Sequence, residues 1–402
     1  MYGAQLIEAL RSANAHLGPD APSTGSRRAP VRPADSKSHL EFFGVGGDKM
    51  RAAGCDTIVD AKDLSVVGIT EILSHLPKIW GLFHKLIGET DKRKPDLAIV
   101  IDSPAFNWRV ARQMKMRGVS VVYYVCPQFW AWRQGRVRLL RKYVDKALVI
   151  FPFEEKFYRD RGVDAEFVGH PLAELPRPAI SREDYAAQNR LDPAKPWITL
   201  MPGSRVKEVR MNLPGILAAA RLLGGEYEFL LPVAPTLDSD LIRRVTQFSH
   251  DSQVRGGAGE GTYPYTSTVH LVPEALPALS HSRAGIIASG TATVEAAMME
   301  TPFVMVYRVT PLTYLLGRST VKVPHFAMVN LIAGEEVVPE LIQKDFTPER
   351  VAAEVHKIIP DGQPRQKMLS GLRRVRSLLR GAGQDAHPAD RAARAVFELL
   401  RR

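Results

Sequence analysis

The chain has 402 residues, and compact domains usually run to roughly 100 to 200 residues, so the length predicts two domains. A net charge of +11 favours anionic partners such as phosphates, lipid headgroups or nucleic acid, but does not choose among them. Cys55 and Cys126 show neither zinc spacing nor a disulfide framework, which fits a reducing, cytoplasmic compartment. No apolar stretch reaches the roughly 18 residues that span a bilayer, so we expect any membrane contact to be peripheral.

The first predicted element is a helix with no strand before it. In "MYGAQLIEALRSANAHL", Leu6, Leu10, Ala13 and Leu17 fall on one helical face. A parallel α/β domain normally starts with a strand that leads into such a helix. The sequence therefore predicts either that this domain is built differently or that its first strand is missing.

Seven strand-like runs follow, with helical patterns between them. They cover 42–47, 97–102, 119–125, 146–151, 197–203, 228–234 and 284–289. Continuous Val/Ile/Leu runs that alternate with helices are typical of parallel sheets buried on both faces, so the predicted class is α/β.

Composition divides the chain further. The Pro-rich, charged segment 169–196 separates the fourth run from the fifth, which predicts one domain over 1–172, a second over 173–358 and basic helices over 359–402. These last helices pack either on the body or on a second subunit, which leaves a homodimer open. Segments 18–38 and 250–264 are rich in Gly, Pro and Ser and are interpreted as surface insertions.

Segment 64–89 has apolar residues at spacings of three and four, which predicts an amphipathic helix. It is cationic in its middle, so it could rest on an anionic membrane, although an ordinary core-facing helix has the same pattern. Its apolar face includes Ile69, Ile72, Leu73, Leu76, Ile79, Trp80 and Phe83.

Two loops in the first half carry candidate chemistry. Asp102 ends the strand-like run 97–102, where a carboxylate could act as a general base, orient a sugar hydroxyl or cap a helix. Trp130, Trp132 and Arg133 follow the next run. Aromatic residues among arginines can bind single-stranded nucleic acid, but we interpret these tryptophans as core residues beside a solvated helix.

In the second half, two strand-like runs end in small, hydroxyl-bearing turns before a helix. Backbone N–H groups at such helix starts attract anions, so the two turns could converge on a diphosphate. A capping box explains the turn before Glu295 without a ligand, and Arg205 could be an ordinary surface arginine. Glu295 could accept hydrogen bonds from a ribose, and Tyr307, Arg308 and Asn330 could complete a nucleotide pocket. The turns contain Gly203, Ser204, Arg205, Ser289, Gly290, Thr291, Ala292 and Thr293.

Taken together, these stretches resemble the lipid-A-disaccharide synthase family of bacterial glycosyltransferases. The resemblance runs in order through most of the chain. It includes "KPDLAIVIDSPAFN" (94–107), "YYVCPQFWAWRQGR" (123–136), "FVGHPLAE" (167–174), "MPGSR" (201–205), "ASGTATVEAA" (288–297) and "VNLIAGEEVVPELIQ" (329–343).

The resemblance implies two Rossmann-like domains facing a cleft, the B-type glycosyltransferase fold. Because the family begins with a strand and a loop before its first helix, the resemblance also implies that the first strand of the N-terminal domain is missing here and that the native protein extends upstream of Met1. It also implies transfer of a sugar from UDP-2,3-diacylglucosamine to 2,3-diacylglucosamine 1-phosphate, with inversion at the anomeric carbon, release of UDP, and no metal or other cofactor. UDP is expected in the second domain and the lipid acceptor in the first. Because the substrates are membrane lipids, the amphipathic helix is expected to dock on the cytoplasmic face of the inner membrane.

The catalytic residues implied by the resemblance are Asp102 and Asn107. Family members commonly carry a second carboxylate where this chain has Ala105, so Asp102 is the expected base. The residues alone leave other functions open, namely another UDP-sugar enzyme of the same fold, or a non-catalytic nucleotide-sugar or lipid-surface binding protein. Nucleic acid is not an expected partner, because the cationic residues are dispersed rather than lining one strip.

Overall fold

The computed structural model describes residues 2–16, 40–64, 69–233, 269–310, 314, 323–381 and 386–401, with the backbone alone for 69–76. The predicted surface insertions 18–38 and 250–264 lie outside these residues. The chain divides into two compact units. The first comprises Met1–Pro171 with Gly383–Arg402, and the second comprises Leu172–Ala382. No helix among the described residues is long and apolar enough to cross a membrane.

The first unit contains two parallel sheets. One pairs β1 (Phe42–Gly46) with β2 (Cys55–Asp60), and the other has the order β3-β4-β5-β6, with β3 at Leu97–Ile101, β4 at Ser120–Tyr124, β5 at Lys146–Val149 and β6 at Ala165–Phe167. Both sheets contribute to one apolar core, since Val59 of β2 clusters with Val100 of β3 and Val121 of β4. Among the described residues, no strand pairs with the second edge of β1 or of β3.

The helices of the first unit connect these strands and cover the sheets. They are α1 (Tyr2–His16), α2 (Asp48–Ala52), α3 (Ala61–Leu64), α4 (Ile69–Arg93), α5 (Pro104–Met116), α6 (Phe129–Trp132), α7 (Val137–Tyr143) and α8 (Pro152–Arg159). The predicted apolar face of α1 is confirmed for Leu6 and Leu10, which are buried, whereas Leu17 lies outside the described residues. The first helix therefore forms in the segment for which the apolar periodicity predicts it.

The second unit has one parallel six-stranded sheet in the order β12-β11-β10-β7-β8-β9. Its strands are β7 (Trp197–Met201), β8 (Glu228–Pro232), β9 (Val269–Val272), β10 (Ala284–Ala288), β11 (Phe303–Tyr307) and β12 (Glu340–Ile342). Its helices are α9 (Arg182–Asn189), α10 (Val206–Leu223), α11 (Ala275–His281), α12 (Thr291–Met298), α13 (Met328–Ala333), α14 (Pro348–Ile358) and α15 (Gln363–Arg380). Every residue of β10 is buried, as the continuous apolar run predicts.

The predicted C-terminal segment 359–402 does not form a unit of its own. Its first helix, α15, packs against α12 and α13 in the second unit. Its last helix, α16 (Pro388–Leu400), packs along α1 in the first unit. The chain therefore leaves the first unit after Pro171 and returns to it at its C-terminal end.

All seven predicted strands are present, as β1, β3, β4, β5, β7, β8 and β10. The sequence did not predict β2, β6, β9, β11 or β12. Two of these, β6 and β12, have three residues each and stand at sheet edges, too short for a periodic signal.

Candidate functional site

The second unit has a topological switch point between β7 and β10. From β7 the chain proceeds to β8 and β9 on one side, and from β10 to β11 and β12 on the other. Met201 pairs with Ile287, and Ala288 pairs with Val306, so three neighbouring strands end at about the same level. In open α/β sheets, ligands bind beyond the carboxyl ends of the strands at such a point. The predicted UDP-binding turns both lie there.

The turn after β7 is tight and positioned by an acidic residue within α10. Gly203 has φ +120°, a backbone conformation that a side chain would strain. The amides of Ser204 and Arg205 donate to Oε2 of Glu208, at 3.2 and 3.4 Å, and Nη1 of Arg205 donates to Oε1 at 2.8 Å. Arg205 is 82% exposed, so its guanidinium can turn to another anion. A capping box between Arg205 and Glu208 is therefore present at this turn, where the sequence did not predict one. The capping box expected as an alternative at the start of α12 is absent, because the N-cap of that helix is Gly290.

The turn after β10 presents small residues at the start of α12. Gly290 has φ +148° and open space around the position of a Cβ atom, so backbone is accessible there. Thr293 is buried and its hydroxyl donates to the carbonyl of Gly290 at 2.8 Å, whereas Thr291 is exposed and Ala292 half-buried. The hydroxyl of Ser289 donates to the carbonyl of Phe326 at 2.8 Å. Thr291 is thus the hydroxyl side chain of this turn that faces solvent.

Two ionisable side chains border these turns. Burial raises the pKa of Glu295 above its ordinary value, and its carboxylate makes no hydrogen bond or ion pair with another described residue. Burial also raises the pKa of Tyr307, with a further increase from Glu208 and an opposing effect of Arg205. Tyr307 therefore lies within electrostatic range of the turn after β7, at the end of the strand beyond β10.

The backbone after β11 is held by Asn212 and Gln343, which the sequence did not single out, and by Arg308, which it did. Asn212, buried in α10, accepts from the amide of Arg308 at 2.8 Å and donates to the carbonyl of Pro202 at 3.2 Å. Arg308 donates to the carbonyl of Phe346 and lies over its ring, with 4.7 Å between the guanidinium carbon and the ring centroid. Gln343 bonds both the amide and the carbonyl of Val309, at 3.0 and 3.1 Å.

The side-chain amide of Asn330 makes all of its hydrogen bonds to other residues of the protein. Its amide nitrogen donates to the carbonyl of Val338 and to Glu340, and its oxygen accepts from the amides of Val337 and Val338, all at 2.8 to 3.0 Å. Glu340 in turn accepts from the amides of Phe326 and Ala327. Asn330 therefore positions the loop that contacts Ser289, and its side chain has no hydrogen-bonding group left over.

In the first unit, Asp102 lies in a strained turn after β3. Asp102 and Ser103 have φ of +49° and +43°, and Val125 after β4 has φ of +58°, conformations that are uncommon outside glycine. Asp102 is exposed. Because strained backbone clusters at functional sites, the ends of β3 and β4 are candidates for one.

Asn107 holds this turn from the first turns of α5. Its Nδ2 donates to the carbonyls of Ile101 and Asp102 at 2.8 and 2.7 Å, and the hydroxyl of Tyr123 donates to the same Asp102 carbonyl at 2.8 Å. Asn107 therefore acts on the backbone beneath the carboxylate of Asp102. Tyr123, buried in β4, is a residue that the sequence did not indicate.

The tryptophans after β4 have different environments, so the prediction that both belong to the core is wrong for one. Trp130 is buried and donates to Glu154 at 2.8 Å. Trp132 is 47% exposed and lies under the guanidinium of Arg133, 4.0 Å from the ring centroid. Burial raises the pKa of Glu154 to about 7, against the opposing effect of its hydrogen-bond donors.

The predicted membrane-contacting face of α4 is described in part. Trp80 is 57% exposed and Ile79 is half-buried. The structure describes only the backbone of 69–76, which includes Ile69, Ile72, Leu73 and Leu76. Phe83 is buried and packs on Phe106, with 5.8 Å between ring centroids, so its expected lipid contact is corrected to a core contact. Its position on α4 faces the sheet rather than solvent.

Comparison with known proteins gives a consistent assignment. Residues 31–390 match the family described as lipid-A-disaccharide synthetase. A lipid-A-disaccharide synthase of Koribacter versatilis is 50% identical over 402 residues, covering 100% of this chain and 96% of that protein. The synthase of Acidobacterium capsulatum is 46% identical over 100% of this chain and 94% of its own, and that of Myxococcus xanthus is 42% identical over 90% of each.

Solved structures show the same fold at low identity. The glycosyltransferase of kitacinnamycin aligns with a TM-score of 0.56 at 14% identity, over 99% of this chain and 96% of that one. The calicheamicin glycosyltransferase CalG4 aligns with a TM-score of 0.53 at 16% identity, over 90% and 91%. At these identities the likeness concerns the fold alone, which is that of the B-type glycosyltransferases with parallel α/β sheets.

Proposed function

Because the chain belongs to the lipid-A-disaccharide synthase family and is a glycosyltransferase of lipid A biosynthesis, we propose that its switch-point turns bind the UDP of the donor. The observation that carries this proposal is that β7, β10 and β11 end at the same height in the sheet. The turns 202–205 and 289–293 follow β7 and β10 at that edge. Neighbouring turns at a switch point present backbone amides and cationic side chains to the same ligand.

The individual contacts follow from the geometry of the turns. The diphosphate meets the open backbone at Gly290 and the exposed Thr291, while Arg205 exchanges its ion pair with Glu208 for the phosphate oxygens. Glu295, which has no partner among the described residues, accepts from the ribose hydroxyls. Asn212, Gln343 and Asn330 fix the backbone around the nucleotide rather than touching it.

The chemistry assigned to the first unit is proton removal from the acceptor. The 6-hydroxyl of 2,3-diacylglucosamine 1-phosphate attacks the anomeric carbon of the donor, its proton passes to Asp102, and the bond from that carbon to the phosphate oxygen breaks to release UDP. A single displacement of this kind inverts the anomeric centre. Asn107 and Tyr123 hold the Asp102 backbone in its left-handed conformation, so the carboxylate is positioned before substrate arrives.

We assign the exposed part of α4 to membrane docking on the cytoplasmic face of the inner membrane. Trp80 stands out from α4, and Lys78 and Lys85 lie near it on exposed positions. An exposed tryptophan flanked by cations suits the boundary between anionic headgroups and acyl chains. Diacylated substrates reach the first unit from that surface.

The test is a turnover assay with UDP-2,3-diacylglucosamine and 2,3-diacylglucosamine 1-phosphate, following both UDP release and disaccharide formation. We expect the wild-type protein to form one UDP for each disaccharide. Asp102→Asn removes the base without changing side-chain size, so kcat should fall by about 10²- to 10⁴-fold while UDP affinity stays unchanged. Binding without turnover in the wild type, or full kcat in Asp102→Asn, would refute the assignment.

A further inference from the structure

A second polar depression lies on the second unit, at the amino ends of β7 and β10. It has a volume of about 450 Å³ and is lined by Arg182, Lys195, His281, Ser282, Arg283 and Arg365, with Pro193, Ala194 and Pro196. The switch-point turns follow the carboxyl ends of the same strands. Five residues of β7 separate the two places, roughly 16 Å at about 3.3 Å per residue. We call this depression the amino-end pocket.

The amino-end pocket has an excess of positive charge. Four of its lining side chains are cations, and the carboxylate paired with them among the described residues is Asp361, at 2.5 Å from Arg283 and 3.8 Å from Arg365. The Asp361 side chain is 85% exposed, so water screens this compensation. Glu183 and Glu228 act on Arg182 within electrostatic range, but neither lines the pocket.

The cationic groups are held in place by main-chain carbonyls. Arg182 donates to the carbonyls of Pro193 and Lys195 at 3.2 and 2.7 Å, and its guanidinium carbon lies 3.7 Å from the ring centroid of Trp197. Arg365 donates to the carbonyls of Arg283 and Ile358 at 2.7 and 2.8 Å. Little side-chain freedom therefore remains to be lost when a ligand binds.

Each guanidinium keeps donors for a ligand. Arginine has five N–H groups. Arg283 donates from Nε to the carbonyl of Ile359 at 2.6 Å and from Nη2 to the exposed Asp361 at 2.5 Å, so other N–H groups of its guanidinium are left for a ligand. The Nη2 group of Arg365 makes no hydrogen bond to another described residue, and this side chain is 12% exposed. Burial lowers the pKa of Arg365, and the nearby Arg283 lowers it further. An anion in the pocket would offset the electrostatic repulsion between the guanidinium groups of Arg365 and Arg283.

We propose that the amino-end pocket binds a phosphate group, carried either by a small molecule or by an anionic lipid headgroup. Planar guanidinium groups with spare N–H donors match phosphate oxygens in pairs. The pocket is built from the segments before β7 and β10, together with the start of α15. It is therefore a second anion site. It lies at the amino ends of β7 and β10, whereas the proposed UDP site at the switch-point turns lies at the carboxyl ends of the same strands.

The test uses inorganic pyrophosphate and lipid vesicles as probes on the full chain. Calorimetric titration with pyrophosphate is carried out on protein saturated with UDP, so that the nucleotide crevice is filled. Vesicles of phosphatidylcholine, with and without phosphatidylglycerol, test the lipid source by sedimentation. The variant Lys195→Gln/Arg283→Gln removes two charges from the pocket, and Arg374→Gln/Arg350→Gln removes two exposed charges elsewhere in the same unit.

The expected result is that the pocket variant binds one of the two probes about tenfold or more weakly, because it loses charge-assisted hydrogen bonds to the phosphate oxygens. Loss of pyrophosphate binding identifies a free phosphate compound, and loss of phosphatidylglycerol-dependent sedimentation alone identifies a headgroup. The control variant should retain both. Equal binding by wild type, pocket variant and control variant, with all three folded by circular dichroism, would overturn the proposal.

Discussion

Left-handed backbone at Asp102, Ser103 and Val125 is the most specific residue-level feature of the first unit. Such conformations cost about 1 to 3 kcal/mol each outside glycine, and they persist where surrounding contacts impose them. Asn107 and Tyr123 supply those contacts through the carbonyl of Asp102. The sequence indicated Asp102 through its position at the end of a strand-like run and Asn107 through a family resemblance. It did not indicate Tyr123, because the hydrogen bond of Tyr123 depends on the pairing of β3 with β4.

His170 gives a residue-level prediction for the pH dependence of stability. Burial lowers its pKa to about 4, below the ordinary value of about 6.5, so the folded protein keeps the ring neutral where the unfolded chain protonates it. Its contribution to stability is therefore complete above about pH 6.5 and is lost as the pH falls towards 4, by roughly 3 kcal/mol in total.

The measurement compares urea unfolding of wild type and His170→Gln at several pH values between 7 and 4. The free energy of unfolding of the wild type, relative to the variant, should decrease across this range, because the variant lacks the titrating ring. A difference that stays constant from pH 7 to pH 4 would show that His170 is protonated equally in both states.

At the scale of elements, the sequence predicted the long, buried strands and the turns that follow them. Its omissions have physical causes. The run "FVMVY" of β11 is as apolar as its neighbours, but only four residues separate it from α12, and Pro302 stands immediately before it. Glu208 and Asn212 lie inside α10, and their roles arise from which loops the helix packs against. The local sequence signal for the role of Glu208 was its position three residues after Arg205, which is the spacing of a capping box.

The helix α4 gives an element-level prediction about membranes. Trp80→Ser removes an exposed aromatic ring from the proposed docking face, so association with phosphatidylglycerol-containing vesicles should weaken about fivefold to tenfold. Met116→Ser is the matched control, because Met116 is 67% exposed on α5, outside that face. Equal sedimentation of Trp80→Ser and Met116→Ser with vesicles would contradict the assignment of α4.

At the scale of the whole molecule, the last helix belongs to the first unit although it follows the second in sequence. Residues Ala392, Ala393 and Val396 of α16 are buried where it packs along α1, together with Leu6 and Leu10 of α1. The sequence predicted helices after residue 359 but placed them in one segment. It could not assign α15 and α16 to different units, because both are amphipathic and their packing partners lie far away in sequence.

Ending the chain at Gly381 should therefore destabilise the first unit. Each buried leucine contributes about 1.5 to 3 kcal/mol, so the thermal midpoint of that unit should fall by roughly 10 °C. Leu400→Ser, at a position that is 43% exposed, should leave the midpoint within about 2 °C of the wild type. Differential scanning calorimetry measures both, and an unchanged midpoint after truncation would show that α16 does not stabilise the first unit.

Calorimetric titration of UDP into wild type, Arg205→Gln and Arg210→Gln tests the central claim most directly. Arg205 stands in the turn after β7, whereas Arg210 is an exposed arginine one turn further along α10. We predict that Arg205→Gln weakens UDP binding by about tenfold or more and that Arg210→Gln changes it by less than about threefold. Equal UDP affinity in Arg205→Gln and wild type would contradict a nucleotide site at the switch point.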